Sequence, residues 1–270
     1  MSEKAVNTRN MSSPRQFAVL QKDSASPTAE QLKRAFRSFS NLTDADAVRL
    51  AAGAHGILMR HTDGDASRAF QQALQAEGIG AVVVAEDELP KLPEGRSLQR
   101  LGISPQAFTI YDLLGRPTAI GWGDVALVAA AAVRHFQMGR TETERTVLHF
   151  NPLVGVWPKK IKESARTVES GTLLLLEIIL AGTATRYQID AARFPFNYVI
   201  DQPGLSTTEK FVWLVREICR DATRALLNRG ALCLLRGQAT VPEYANRQML
   251  TDEMIWLLWH EAHQHRAGNA

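Results

Sequence analysis

The sequence predicts an α+β protein built from two small modules. The first is an α/β sandwich of order strand–helix–helix–strand–helix–strand. The second is an antiparallel β half-barrel or barrel capped by a helix, and a C-terminal helix closes the chain. Two observations carry this expectation. Residues 16–88 alternate short apolar strands with amphipathic helices, and from residue 98 the apolar period changes to two. Between them, "DELPKLPEGR" (Asp87–Arg96) combines two prolines with alternating charge, as a stiff, extended and solvated linker does. The division is a tail at 1–15, a domain at 16–88, a linker at 89–97, a β-rich domain at 98–225 and a helical extension at 226–270.

Within the first module, "QFAVLQ" (Gln16–Gln21) is a strand. Pro27 opens a helix on which Leu32, Ala35, Phe36 and Phe39 fall at helical spacing. Thr43 and Asp46 form a capping-box-like start to a second helix, stopped by Gly53 and Gly56. A strand over Gly56–Met59 follows, then a helix over Ser67–Glu77 with Phe70, Ala73 and Leu74 inward. Asp63, Gly64 and Asp65 are a turn and helix start rather than a calcium loop, because the full ligand spacing is absent. Gly78 and Gly80 precede the apolar strand Ala81–Val84.

In the second module, Leu98–Leu101, Ala107–Asp112 and Thr118–Trp122 are short strands, with Gly115-Arg116-Pro117 as a turn. Asp124–His135 is a longer apolar strand, and residues 138–169 are a polar, weakly periodic insertion. Leu173–Leu180 and Arg186–Asp190 pair across Gly182-Thr183. Ser206-Thr207-Thr208-Glu209 is a capping box opening an amphipathic helix with Phe211, Val212, Leu214, Val215, Ile218, Cys219 and Ala222 on its buried stripe. The last helix, Gln248–His265, is apolar around much of its circumference, so it must dock on the body or on a partner.

Two stretches resemble known families. Leu42–Val84 resembles the C-terminal domain of the bacterial ribosomal stalk protein through Leu42, Ala45, Val48, Ala54, Leu74, Gly78, Ala81 and Val83. That family presents lysines on its partner-binding helix, where this chain has Asp44 and Asp46. The resemblance therefore implies a fold rather than that family's partner. "FTIYDLLGRPTAIGWGDVALV" resembles the strand–turn–strand pattern of bacterial pleckstrin-homology-like domains through Gly115, Ile120, Trp122 and Asp124.

The 270 residues carry 31 Lys and Arg against 28 Asp and Glu, for a formal charge of +3. That balance argues against a nucleic-acid partner, which needs a clustered basic face. Cys219 and Cys233 sit in apolar surroundings, as buried free thiols of a reducing compartment do. The polar Met1–Arg15 is read as a disordered tail, neither signal peptide nor anchor, and a cytoplasmic location is expected. The longest apolar run, Ala126–Val133, is too short to span a bilayer as a helix.

No P-loop, dinucleotide fingerprint or nucleophilic triad is present, and no cofactor is implied. The leading expectation is thus a non-catalytic binding or scaffold protein. It would act on a protein partner or self-associate through the C-terminal helix. Candidate contacts are Trp157, Lys159, Lys160, Lys162 and Arg166 in a basic loop, and Arg116 with Trp122 at the hairpin turn, although Trp122 also suits the core. The same basic loop would serve in an alternative reading, peripheral contact with an anionic membrane. In a third, a zinc enzyme, His260, His263 and His265 of "WHEAHQHR" would join a distant carboxylate or His149. Against it stands the spacing, three between His260 and His263 where a zincin helix needs four. A fraying, solvated helix end with cationic histidines is the plainer account.

Overall fold

The computed structural model describes residues 15–39, 42–53, 55–112, 114–151, 155–200 and 202–267, with the side chains of 136–170 outside the description. Among the described residues, three sheets and six α-helices form a mixed α+β fold. The first module is β1 (Phe17–Gln21), α1 (Ala29–Phe36), α2 (Asp44–Gly53), β2 (Ile57–Thr62), α3 (Gly64–Ala76) and β3 (Ala81–Ala85), the expected order. Capping chemistry sets the helix starts. Thr28 and Gln31 form a reciprocal box on α1, Thr43 and Asp46 do the same before α2, and Asp63 accepts from Ala66 N at 2.8 Å to start α3.

The sheet has order β2-β1-β3, all antiparallel. Its central strand is buried on both faces, which explains the unbroken apolar run of "FAVL". Val19 packs with Leu58 and Ala81 under the three helices, against Leu32, Phe36, Phe70 and Leu74. Ala18 and Leu20 point the other way, with Ile57 and Val84, into a second core.

The remaining elements are β4 (Gly95–Ser97), β5 (Leu101–Ile103), β6 (Ala107–Tyr111), β7 (Pro117–Gly121), β8 (Val125–Asn151), β9 (Gly155–Leu180), β10 (Arg186–Asp190), α4 (Thr207–Asp221), β11 (Leu226–Leu227), α5 (Arg229–Leu235), β12 (Glu243–Tyr244) and α6 (Arg247–Ala267). The large sheet runs β11-β8-β9-β10-β4, with β12 also on β8, and β5-β6-β7 is a separate meander. Among the described residues neither sheet closes into a barrel, so the helix-capped half-barrel is an open arrangement.

Two sequence expectations need correction. The linker ends in β4, which pairs parallel with β10, and Leu89 is 5% exposed in the core. An extended segment needs backbone partners, and the open edge of β10 supplies them. Residues 138–169 are not an irregular insertion, because β8 and β9 continue as a ladder to Asn151↔Gly155. Thr141, Thr143, Val147, Val156, Ile161 and Thr167 are β-branched, a residue type that favours strands and that the polar composition hides. Past Arg134↔Thr172 the two strands pair only with each other among the described residues. At about 3.3 Å per residue this is a ribbon of about 55 Å.

Alternation divides the large sheet between two cores. Val128, Ala130, Leu176 and Ile178 face α4, α5 and the meander. Leu127, Ala129, Ala131, Leu175 and Ile179 face α6. That helix fills the space between the sheets. Leu250 and Met254 lie on the large sheet, and Ile255, Trp256 and Trp259 on the first module's sheet. Each large side chain so buried contributes roughly 1.5–3 kcal/mol. Much of the apolar surface of α6 is thus buried within the chain, with Met249, Leu257 and Leu258 partly buried.

Close approach requires small residues. Gly230 of α5 sits where a Cβ would come 1.8 Å from the Ala130 carbonyl oxygen, so the alanine run of β8 serves helix docking. Gly56, at φ +92°, sits where a Cβ would come 2.2 Å from Trp256 Cγ. Gly56→Ala combines left-handed strain with overpacking, and a loss of roughly 2–4 kcal/mol is expected. Urea denaturation checks this. Gly78→Ala is the control, since it is also left-handed but has no neighbour within 4 Å, and it should lose clearly less.

Candidate functional site

The basic segment is strand, not loop. Trp157, Lys159, Lys160, Lys162 and Arg166 occupy β9 opposite His149, Val147, Thr146, Glu144 and Arg140. Their side chains lie outside the described residues. Arg116 is at the β6–β7 turn, where its Nε is 2.6 Å from Asp112 Oδ2. Hydrogen bonds from the Arg116 backbone and guanidinium hold the Asp112 carboxyl below its usual range. Trp122 is a core residue, 7% exposed, with its indole donating to Ser104 O at 3.0 Å.

Of the C-terminal histidines, His260 is a docking residue and His263 packs within its own helix. His260 Nε2 is 2.7 Å from Lys22 O, fastening α6 to the end of β1. His263 Nδ1 is 2.8 Å from Trp259 O, and its ring stacks on Trp259 at 4.1 Å. The side chain of His265 lies outside the described residues. Among the described residues no group of three or more His, Cys, Asp or Glu could hold a metal ion. Both thiols are free, and burial pushes the Cys219 thiol up to about 12, away from nucleophilic use.

Two other places gather polar chemistry. A groove of about 650 Å³ runs between the meander and the β4–β10 edge, lined by Arg96, Arg100, Tyr111, Asp112 and Tyr187. The Arg100 guanidinium lies 4.2 Å from the Tyr111 ring centroid and 5.0 Å from that of Tyr198. Among the described residues neither Arg96 nor Arg100 has an ion-pair partner, while Asp112 is committed to Arg116. The groove is therefore electropositive and aromatic.

The second place is a cavity of about 220 Å³ where the β1–α1 and α2–β2 loops meet α5 and α6. His55 is 7% exposed, with Nδ1 hydrogen-bonded to Ser26 Oγ at 3.1 Å. Burial, then the charge of Arg229, lowers its pKa to about 4, so the ring is neutral at pH 7. Arg229 lies beside Tyr244, 5.5 Å from the ring centroid. Glu253 has both oxygens engaged, one by the Tyr244 hydroxyl and one by Arg229 N at 2.9 Å. Burial and the neighbouring Glu253 charge raise the Tyr244 pKa, keeping the hydroxyl a donor. Asn228 completes the network, exchanging bonds with Ala130 N and O and capping α5 through Ala231 N.

Sequence reasoning missed these residues. Arg229 and His55 are isolated polar residues beside glycines, and a lone charge in "LLNRGALCLL" was the available signal. No family model, curated protein or solved structure matches the chain. Among the described residues no helix is long and apolar enough to cross a membrane.

His55 makes stability depend on pH in a set direction. Its unfolded pKa is about 6.5 and its folded value about 4, so between those pH values the unfolded chain binds the extra proton. The stabilisation is complete above 6.5 and drains away as pH falls toward 4. Urea midpoints at pH 7 and pH 4.5 should therefore converge in His55→Gln relative to the parent. An identical pH loss in both proteins would show that His55 does not titrate this way.

Proposed function

We propose that this chain is a non-catalytic binding protein whose groove between the meander and the β4–β10 edge receives an acidic segment of a protein partner. The observation that carries the reading is the pair Arg96 and Arg100, which line the groove with no carboxylate partner among the described residues. Tyr111 and Tyr198 flank the Arg100 guanidinium and orient it, which lowers the ordering cost of receiving a carboxylate. The volume lies within the range of ordinary ligand sites. The groove adjoins the turn bearing Arg116, the binding face read from sequence.

A second reading rests on the β8–β9 ribbon. Beyond Arg134↔Thr172 its outer edges have no strand partner among the described residues. A ribbon so built can add a partner's strand through main-chain hydrogen bonds. An anionic membrane would instead be met by the basic residues of β9.

The groove is tested with a fluorescein-labelled octapeptide of alternating Glu and Gly, read by anisotropy at low salt. Arg96→Glu combined with Arg100→Glu should weaken binding at least tenfold, with an unchanged far-ultraviolet spectrum. Equal binding by parent and variant, or equal binding of a Lys/Gly peptide to the parent, would refute the groove.

A further inference from the structure

We infer that the cavity between the two modules binds a small organic carboxylate with a short apolar body. It is separate from the groove and draws on different elements. Arg229 and Arg236 of the α5 segment bring two positive charges to the lining, and neither has an ion-pair partner among the described residues. The one carboxylate there, Glu253, is occupied at both oxygens by the Tyr244 hydroxyl and the Arg229 backbone. The lining is therefore net positive, with a neutral His55 beside it.

Two buried nitrogens of the lining residues lack hydrogen-bond partners, His55 Nε2 and Arg229 Nε. A buried guanidinium N–H without an acceptor is costly, and an entering oxyanion would relieve it. The rest of the wall is apolar, supplied by Leu227, Leu232, Trp256 and Leu257. Hence the lining asks for one acidic end and one apolar end, rather than for a free phosphate or sulfate. An engineered cavity of about 150 Å³ holds benzene, so about 220 Å³ accommodates a chain of six to eight heavy atoms.

The cavity draws residues from both modules, Ser26 and His55 on one side and Arg229 and Trp256 on the other. A ligand there would bridge them and stabilise the folded chain by mass action.

The test uses the full chain labelled with ¹⁵N. Hexanoate, acetate, 1-hexanol and inorganic phosphate are titrated to 10 mM at pH 7. The expected result is saturable hexanoate shifts at the Gly56 amide and the Trp256 indole. Acetate, 1-hexanol and phosphate should each bind at least tenfold more weakly. Arg229→Gln should weaken hexanoate at least tenfold. If that variant misfolds, the exposed Arg236→Gln takes its place and should weaken hexanoate at least threefold. The inference is overturned by absent hexanoate shifts, by 1-hexanol binding equally (an apolar void only), by phosphate binding equally (a charge site only), or by unaltered affinity in the folded variant.

Discussion

The rest of the structure depends on one packing constraint, a helix held between two sheets. Neither sheet could bury both faces by itself. β1 needs cover on the face opposite α1–α3, and β8 and β9 need it on the face opposite α4. α6 supplies both covers at once, with Trp256 and Trp259 on one side and Leu250 and Met254 on the other. The two modules consequently share a core rather than being strung on a linker. Gly56 permits the approach by presenting no Cβ to Trp256.

Burying one helix between two sheets encloses polar groups, and most of them find a directed partner. Trp256 donates its indole N–H to Gln21 O at 2.8 Å, and Gly56 N donates to Gln21 Oε1 at 2.9 Å. Arg60 bridges Glu86 and Asp252 at 2.7 Å each, tying β2 to α6. Burial opposes ionisation of Glu86, yet donation from Arg60 and from His61 N holds its pKa below the usual value. On the large sheet, Glu177 is 1% exposed and meets Arg186 in a two-pronged pair at 2.9 and 3.1 Å. Such pairs add little net stability but penalise any register that would separate them. His55 Nε2, Arg229 Nε and Trp259 Nε1 are the places where this satisfaction is incomplete, and all three lie near the seam between modules.

The functional surfaces follow from the same geometry. The groove forms where the meander stands against the β4–β10 edge, and the cavity forms where loops of one module meet helices of the other. Neither belongs to a single contiguous motif. The histidine-rich end illustrates the converse. "HEAHQH" has the composition of a ligand set, but His260 and His263 each spend a ring nitrogen on a backbone carbonyl.

The sequence by itself determined the local elements. Apolar spacing, caps at Thr43, Asp63 and Ser206, and glycine stops are read within a few residues of the chain, because the forces behind them act over one helical turn or one strand. It also showed that α6 must dock, since no helix can leave so many apolar residues in water. What covers that helix was decided by tertiary structure alone. So were the pairing of β4 with β10, the continuation of β8 and β9 through a polar stretch, and the meeting of His55 with Arg229. Except toward the tip of the β8–β9 ribbon, where Asn151 meets Gly155, these depend on partners tens to hundreds of residues away, and a contact of that separation leaves no period in the chain. Only the closed core brings such residues within hydrogen-bonding reach.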